Sequence, residues 1–372
     1  MLKKGLAVLL AAGLLLTAPV CPAAAEEFAP DAKAALVMEA GAGTVLYGKN
    51  IHRELPVAST TKIMTALLTL EERDLWEEFT VPAAAVGTEG SSMGLKKGDR
   101  VTLWALAAGM LLSSGNDAAN AAALRISGSL PAFAKRMNRR AALLGMNHTH
   151  FKNPSGLDEP GHISSAFDLA LLARAALKNP LFYELCSSKY ETVSFGRPPA
   201  EYRLRNHNKL LTLYPAAVGV KTGFTRKAGR CLVSAAEQDG VRLIVVTLGC
   251  ADDWTAHEKL YERYFALTER RAIPWEDLFF PVAGGERASV RVRRQCPLFY
   301  TAIKGKEGEL TARVYGRNFY YAPVKKGDIL GEIVYYNGER AVGEANLLAA
   351  GTVEAKGPRR PRLFSSRAGF YK

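Results

Sequence analysis

The sequence predicts an α+β chain in two parts: an antiparallel sheet with helices packed on it, followed by a small all-β C-terminal domain. Three observations predict it. β-Prone runs stand at both ends of the stretch up to Ala272, with helical periods between them. Beyond Ala272 the pattern changes to short alternating runs separated by glycine turns. The length, 372 residues, exceeds what one hydrophobic core usually supports. A composition of 48% hydrophobic and 23% charged residues excludes a disordered chain, a collagen and a coiled-coil rod.

In chain order, Lys3 and Lys4 precede an apolar run from Leu6 to Leu16, Pro19 and Pro22 break it, and Ala23-Ala24-Ala25 follows. That pattern predicts a signal peptide over 1–25, too short to span a bilayer, with the mature chain starting near Glu26 outside the cytoplasm; an uncleaved anchor or a short buried helix is the alternative. Cys21 stands in a poor lipidation box. Ala34–Glu39 and Gly43–Tyr47 flank Ala40-Gly41-Ala42 as a hairpin. Ser59–Leu70 is helical, with Ile63, Met64, Leu67, Leu68 and Leu70 on its apolar positions. Residues 101–147 carry further helical periods. Ser165–Lys178 is a helix capped by Ser165. Arg230–Ala236 and Val241–Gly249 form a second hairpin around Gln238-Asp239-Gly240. A helix follows over Thr255–Glu269. Ser289–Arg293, Leu310–Tyr315 and Ile329–Tyr335 are strands of the second domain. The boundaries expected are 26–272, 273–356 and a basic, flexible tail over 357–372, whose Pro358 and Pro361 break any amphipathic helix.

The formal charge is +13, from 49 basic and 36 acidic residues, and most of the excess falls after residue 270. Outside the cell, such a module is attracted to anionic wall polymers or to the membrane surface; solubility alone is the plainer explanation. Nucleic acid is not an expected partner, because no binding motif is visible. Five cysteines are too few for a disulfide scaffold. Cys231 and Cys250 lie at similar distances from the hairpin turn, but neighbouring strands space Cα atoms badly for a disulfide, so two buried thiols are expected.

Three short motifs carry chemistry. Ser59-Thr60-Thr61-Lys62 is S-x-x-K, Ser114-Gly115-Asn116 is S-x-N and Lys221-Thr222-Gly223 is K-T-G. Ser59 is the only serine with a lysine three residues on, and K-T-G occurs once. On a helix, Lys62 lies on the same face as Ser59, one turn along. Serine needs an adjacent base, and a lysine serves only if its pKa is lowered. Burial and a second cation, which Lys221 can supply, both lower it. A helix start also places backbone N–H groups near Ser59, where an oxyanion could be held.

The ordered set is the signature of the penicillin-binding serine enzymes and serine β-lactamases. Residues 26–270 resemble a D-alanyl-D-alanine carboxypeptidase of the low-molecular-mass penicillin-binding class, with the β-lactamase/transpeptidase-like fold. Pro56–Lys62 resembles the family's nucleophile segment. Ser91-Ser92-Met93 and Leu112–Ala119 resemble its second-motif region. Asn153–Leu157 with Gly161-His162 and Ala166–Ala170 is similar to its linker, and Gly219–Thr225 to its third motif. The β-module resembles the accessory domain of the same enzymes.

The resemblance implies that Ser59 attacks the carbonyl between the two terminal D-alanines of a peptidoglycan stem peptide and that Lys62 accepts its proton. It implies that Ser114 and Asn116 relay protons and hold the substrate amide. Lys221 and Thr222 recognise the terminal carboxylate next to Gly223, and the backbone N–H groups of Ser59 and Phe224 form the oxyanion hole. β-Lactam antibiotics acylate Ser59; no metal or organic cofactor is needed. In many relatives an arginine after the strand that follows K-T-G helps hold the carboxylate. Here 251–258 read ADDWTAHE, and His257 is the nearest cationic candidate, a surface helix position being its plainer reading. That departure suggests a specialised branch.

Plainer readings cover the rest. His148 and His150 lack a completing ligand set, so a structural role is expected. His162 is expected as a loop residue first, and Asp158 and Glu159 as a solvated turn. A D,D-endopeptidase with the same residues is the alternative function. A serine β-lactamase is disfavoured because 152–160 read KNPSGLDEP, with no E-x-x-L-N segment. A wall-binding scaffold with a decayed site is disfavoured by the intact motifs.

Overall fold

The computed structural model describes residues 28–306 and 308–357. The segment read as a signal peptide, and the basic tail after Gly357, lie outside the described residues.

Five antiparallel strands form the central sheet: β1 (Ala34–Glu39), β2 (Val45–Lys49), β7 (Ala217–Thr225), β8 (Gly229–Gln238) and β9 (Val241–Leu248), in the order β2-β1-β9-β8-β7. The near-continuous apolar runs on β1, β8 and β9 follow from burial of both faces. Leu36, Met38, Val233, Ile244 and Val246 point into one core, while Val37, Leu243 and Val245 point into another. β8 and β9 join through Asp239 and Gly240, with φ of 51° and 74°, the two left-handed positions of a tight hairpin turn.

Against the first face pack α1 (Lys62–Leu70), α5 (Ala166–Ala176) and α6 (Pro180–Ser187), and α2 (Leu103–Leu111), α3 (Asn116–Ser127) and α4 (Leu130–Leu143) pack in turn around α1, all sharing one core. The expected cap of α5 is present: Ser165 Oγ accepts from Asp168 N at 3.1 Å. Thr102, Ser129 and Asn179 cap α2, α4 and α6 in the same way. After the short α7 (Leu210–Leu213), α8 (Asp253–Leu267) covers the opposite face of the sheet with Leu260, Tyr261, Tyr264 and Phe265.

A small second sheet stands beside the helices: β3 (Phe79–Thr80), β4 (Arg100–Val101), β5 (Tyr190–Gly196) and β6 (Pro199–Arg205). Its β5–β6 hairpin was not expected from the sequence. All of β6 except Leu204 is solvent-exposed, although Ala200, Tyr202 and Leu204 alternate with Glu201, Arg203 and Arg205 along it.

The C-terminal part is all β, as the sequence predicts. β10 (Thr268–Ala272) pairs with β13 (Phe299–Ile303). β11 (Leu278–Ala283), β12 (Ser289–Arg294), β14 (Leu310–Gly316), β15 (Tyr320–Tyr321), β16 (Ile329–Asn337) and β17 (Arg340–Ala349) form a sheet in the order β14-β16-β17-β12-β11-β15. Val290, Val292, Ile333 and Leu347 are in its core. β10 continues directly from α8, and Thr301 Oγ1 donates to Glu39 Oε1 at 3.1 Å, so both chain and side chains link the two parts. Among the described residues no helix is long and apolar enough to cross a membrane.

Candidate active site

The chain enters α1 through a 3₁₀ turn, Ala58–Thr61. Side chains three residues apart eclipse in that geometry, so Ser59 and Lys62 meet: Nζ lies 2.9 Å from Ser59 Oγ. Ala58, just before the serine, has φ 49°, and Ser114 has φ 59°. Both are left-handed conformations that a β-carbon disfavours, and the surrounding packing holds them.

Lys62 has no solvent exposure. Its Nζ lies 2.6 Å from Asn116 Oδ1 and 2.6 Å from the Ser155 carbonyl oxygen. Both are acceptors, so they fix two N–H bonds of the amine. In the neutral amine the lone pair then faces Ser59 Oγ, the geometry of a general base. Burial holds the Lys62 pKa well below the usual lysine range, the charge of Lys221 pushes it further down, and Asp117 opposes both.

Lys221, on β7, is 1% exposed. Its Nζ donates to Ser114 Oγ at 3.1 Å and to the Thr222 carbonyl at 2.8 Å. Burial lowers its pKa to about 7. The three motifs therefore form one connected set: Ser59–Lys62–Asn116 on one side and Ser114–Lys221 on the other.

The close fit has backbone causes. A Cβ on Gly223 would meet the backbone nitrogens of Thr60 and Ser59 at 3.0 and 3.1 Å, so a larger residue there would push β7 and the 3₁₀ turn apart by a few tenths of an ångström. Gly156, at φ 84°, would bring a Cβ to 2.0 Å from the Ala58 carbonyl oxygen. That glycine lets the 153–157 segment reach Lys62 with the Ser155 carbonyl.

Neighbouring groups set the frame. Asn116 Nδ2 donates to the Glu89 carbonyl at 2.7 Å. The Asp117 carboxylate accepts from Ser92 Oγ at 2.6 Å and from the backbone nitrogens of Met93, Gly94 and Leu95 at 2.9, 3.1 and 3.0 Å, fixing the 91–95 segment to α3. His162 is buried and accepts from Lys152 N at Nδ1, so Nε2 carries the proton and donates to Thr61 Oγ1 at 2.8 Å. Burial lowers its pKa to about 4, which keeps it neutral. Asp158 accepts from Thr225 Oγ1 at 3.0 Å, joining the linker to the end of β7.

The set opens into a cleft of about 310 Å³, lined by Ser59, Ser91, Ser114, Thr222, Phe224, Arg230 and Trp254 among others. Phe224 is 66% exposed at its mouth.

His257 is not in the cleft. It is wholly buried beneath the central sheet, where Nδ1 lies 2.6 Å from Ser234 Oγ and Nε2 2.9 Å from Thr247 Oγ1. Burial lowers its pKa to about 3, so it is neither the cation nor the surface residue that the sequence suggests. The four cysteines among the described residues are free, and Cys231 and Cys250 are buried thiols pushed up to about 11 by burial.

Arg230 and the Ser155 carbonyl are the functional candidates that sequence reasoning missed. Arg230 stands directly opposite Phe224 across the β7–β8 pair, a relation that needs the strand register to be seen.

The sequence pattern of the D-alanyl-D-alanine carboxypeptidases matches residues 22–252, and that of the penicillin-binding protein 5 C-terminal domain matches 280–355. The chain is 32% identical over 335 residues to D-alanyl-D-alanine carboxypeptidase DacF of Bacillus subtilis, covering 87% of this chain and 86% of that one. It is 34% identical over 384 residues to D-alanyl-D-alanine carboxypeptidase DacC of Escherichia coli, covering 94% and 92%. Penicillin-binding protein 5 from Haemophilus influenzae superposes with a TM-score of 0.67 at 28% identity, over 88% of this chain and 98% of that one. The chain belongs to the D-alanyl-D-alanine carboxypeptidase family. Its activity is that of a serine-type D-Ala-D-Ala carboxypeptidase, a hydrolase.

Proposed function

We propose that this enzyme removes the terminal D-alanine from peptidoglycan stem peptides through an acyl-enzyme on Ser59. The observation that carries the reading is the placement of the Lys62 amine between two carbonyl acceptors and Ser59 Oγ. Lys62 takes the Ser59 proton as Oγ attacks the carbonyl between the two D-alanines. The backbone N–H groups of Ser59 and Phe224 hold the oxyanion. Ser114, bonded to Lys221, passes its proton to the departing amine and is reprotonated with the proton that Lys62 took from Ser59, so D-alanine leaves and Lys62 is neutral again. Water then attacks the ester, with Lys62 again as base, and Ser59 recovers its proton. β-Lactams acylate the same oxygen. The apolar leader with its Ala23-Ala24-Ala25 site supports action outside the cytoplasm, and the basic C-terminal module supports contact with an anionic wall polymer or the outer face of the cytoplasmic membrane.

A relative from Pseudomonas aeruginosa, 33% identical over 217 residues, is named a D-alanyl-D-alanine endopeptidase, which keeps cross-link cleavage as the second reading. The test is mass spectrometry after incubation with a diacyl-L-Lys-D-Ala-D-Ala peptide and, separately, with a penicillin. Release of one D-alanine and a penicilloyl adduct on Ser59, absent in Ser59→Ala, is expected. An adduct without D-alanine release would move the reading to the endopeptidase, and labelling retained in Ser59→Ala would overturn the mechanism.

A further inference from the structure

We infer that Arg230 is the cation that anchors the C-terminal carboxylate of the substrate, a role that rests on the D-Ala-D-Ala reading above. A carboxylate anchor must stay charged at the working pH. Lys221 meets that need poorly: with a pKa of about 7 it is charged only part of the time near neutrality, and its Nζ is already engaged by Ser114 and the Thr222 carbonyl. His257 is buried beneath the sheet. His207 and Lys209 also line the cleft; burial lowers the His207 pKa, with Lys221 and Arg205 adding to the effect, and Lys209 is an exposed side chain at the start of α7.

Arg230 presents a guanidinium, whose planar fork matches a carboxylate. It stands directly opposite Phe224, and Thr222 lies two residues along the same strand, so all three share one face of the sheet and line one cleft with Ser59. Its guanidinium is held in place. Nε and Nη2 donate to Asp253 Oδ1 at 3.0 and 2.6 Å, the Asp253 side chain is 3% exposed, and the Trp254 ring lies 5.3 Å from the guanidinium carbon. The Arg230 side chain itself remains 39% exposed. Asp253 thus occupies one edge of the fork, and the remaining N–H groups are available to a second carboxylate.

The test measures kcat and KM for the free-acid peptide and for the same peptide with a C-terminal amide, in wild type, Arg230→Gln and Arg230→Lys. A charge-assisted hydrogen bond to a carboxylate corresponds to a loss of about 10- to 100-fold in kcat/KM. Arg230→Gln is expected to lose that much on the free acid, chiefly in KM, and little on the amide, while Arg230→Lys recovers part. Equal losses on both peptides, or a free-acid preference kept in Arg230→Gln, would overturn the assignment. If the glutamine variant fails to fold, the lysine variant, which keeps a cation beside Asp253, gives the same readout as a smaller loss confined to the free acid. A wild type that hydrolyses neither peptide would sink the D-Ala-D-Ala reading instead. Acylation of Ser59 by benzylpenicillin against its methyl ester would then still decide on Arg230.

Discussion

The inner end of the cleft and its mouth treat a basic side chain in opposite ways. At the inner end, Lys62 has no exposure, and its surroundings offer carbonyls that a neutral amine satisfies as well as a charged one. At the mouth, Arg230 keeps 39% of its side chain in solvent and a buried carboxylate at its back. Desolvation disfavours the charge on the first, while the second is a partly solvated guanidinium paired with a carboxylate. One site thereby holds a buried lysine suited to a base and a partly exposed arginine suited to an anchor, and Lys221, near pKa 7, stands between them. Burial, more than residue type, separates the two roles.

The largest expected effect breaks the inner end. Lys62→Ala should slow acylation of Ser59 by about 10²- to 10⁴-fold while leaving a folded protein, the range a general base contributes. Lys62→Arg sharpens the contrast, because a guanidinium stays protonated and should be as slow as alanine. Stopped-flow acylation by a penicillin measures both, and a fast arginine variant would remove the proton-acceptor role.

Next comes the frame. Asp117→Ala leaves three backbone N–H groups and the Ser92 hydroxyl without their acceptor. It should cost about 2–3 kcal/mol in unfolding free energy, read by denaturant titration. A loss under 0.5 kcal/mol would show that the 91–95 segment is held by other contacts.

A smaller effect separates the sheet interior from the cleft. His257→Ala should lower the melting temperature and leave the kinetic preference for a free carboxylate intact; loss of that preference would return His257 to the substrate. The pH dependence follows from the same burial. His257 and His162 have folded pKa values of about 3 and 4, below the ordinary imidazole value of 6.5, so below that value the unfolded chain binds protons that the folded one refuses. Stability is full above pH 6.5 and falls as pH drops towards those folded values. Melting curves at pH 7, 5 and 4 should show the decline, reduced in His257→Ala. The smallest effect concerns the thiols: reductant should leave the melting temperature unchanged, and a drop would reveal a disulfide.

The sequence makes the machinery more legible than its surroundings. The S-x-x-K spacing suffices to bring Ser59 and Lys62 together, because a helical turn acts locally. Asp239-Gly240 identifies its hairpin for the same reason. What escapes depends on long-range register. Arg230 looks like the first residue of a strand until β7 is laid beside β8. His257 could have been read better: 257, 260, 261 and 264 follow the i, i+3, i+4, i+7 spacing of one helix face, and that face carries Leu260, Tyr261 and Tyr264. The β5–β6 hairpin could have been read too: on β6, Ala200, Tyr202 and Leu204 alternate with Glu201, Arg203 and Arg205.

The most direct measurement is the pH dependence of Ser59 acylation by a penicillin. If Lys62 is the neutral base, acylation is already fast near neutral pH and shows no tenfold climb per unit through the alkaline range of a free lysine. A rate that rises steadily up to pH 10 would mean that Lys62 is charged in the resting enzyme, contradicting the account.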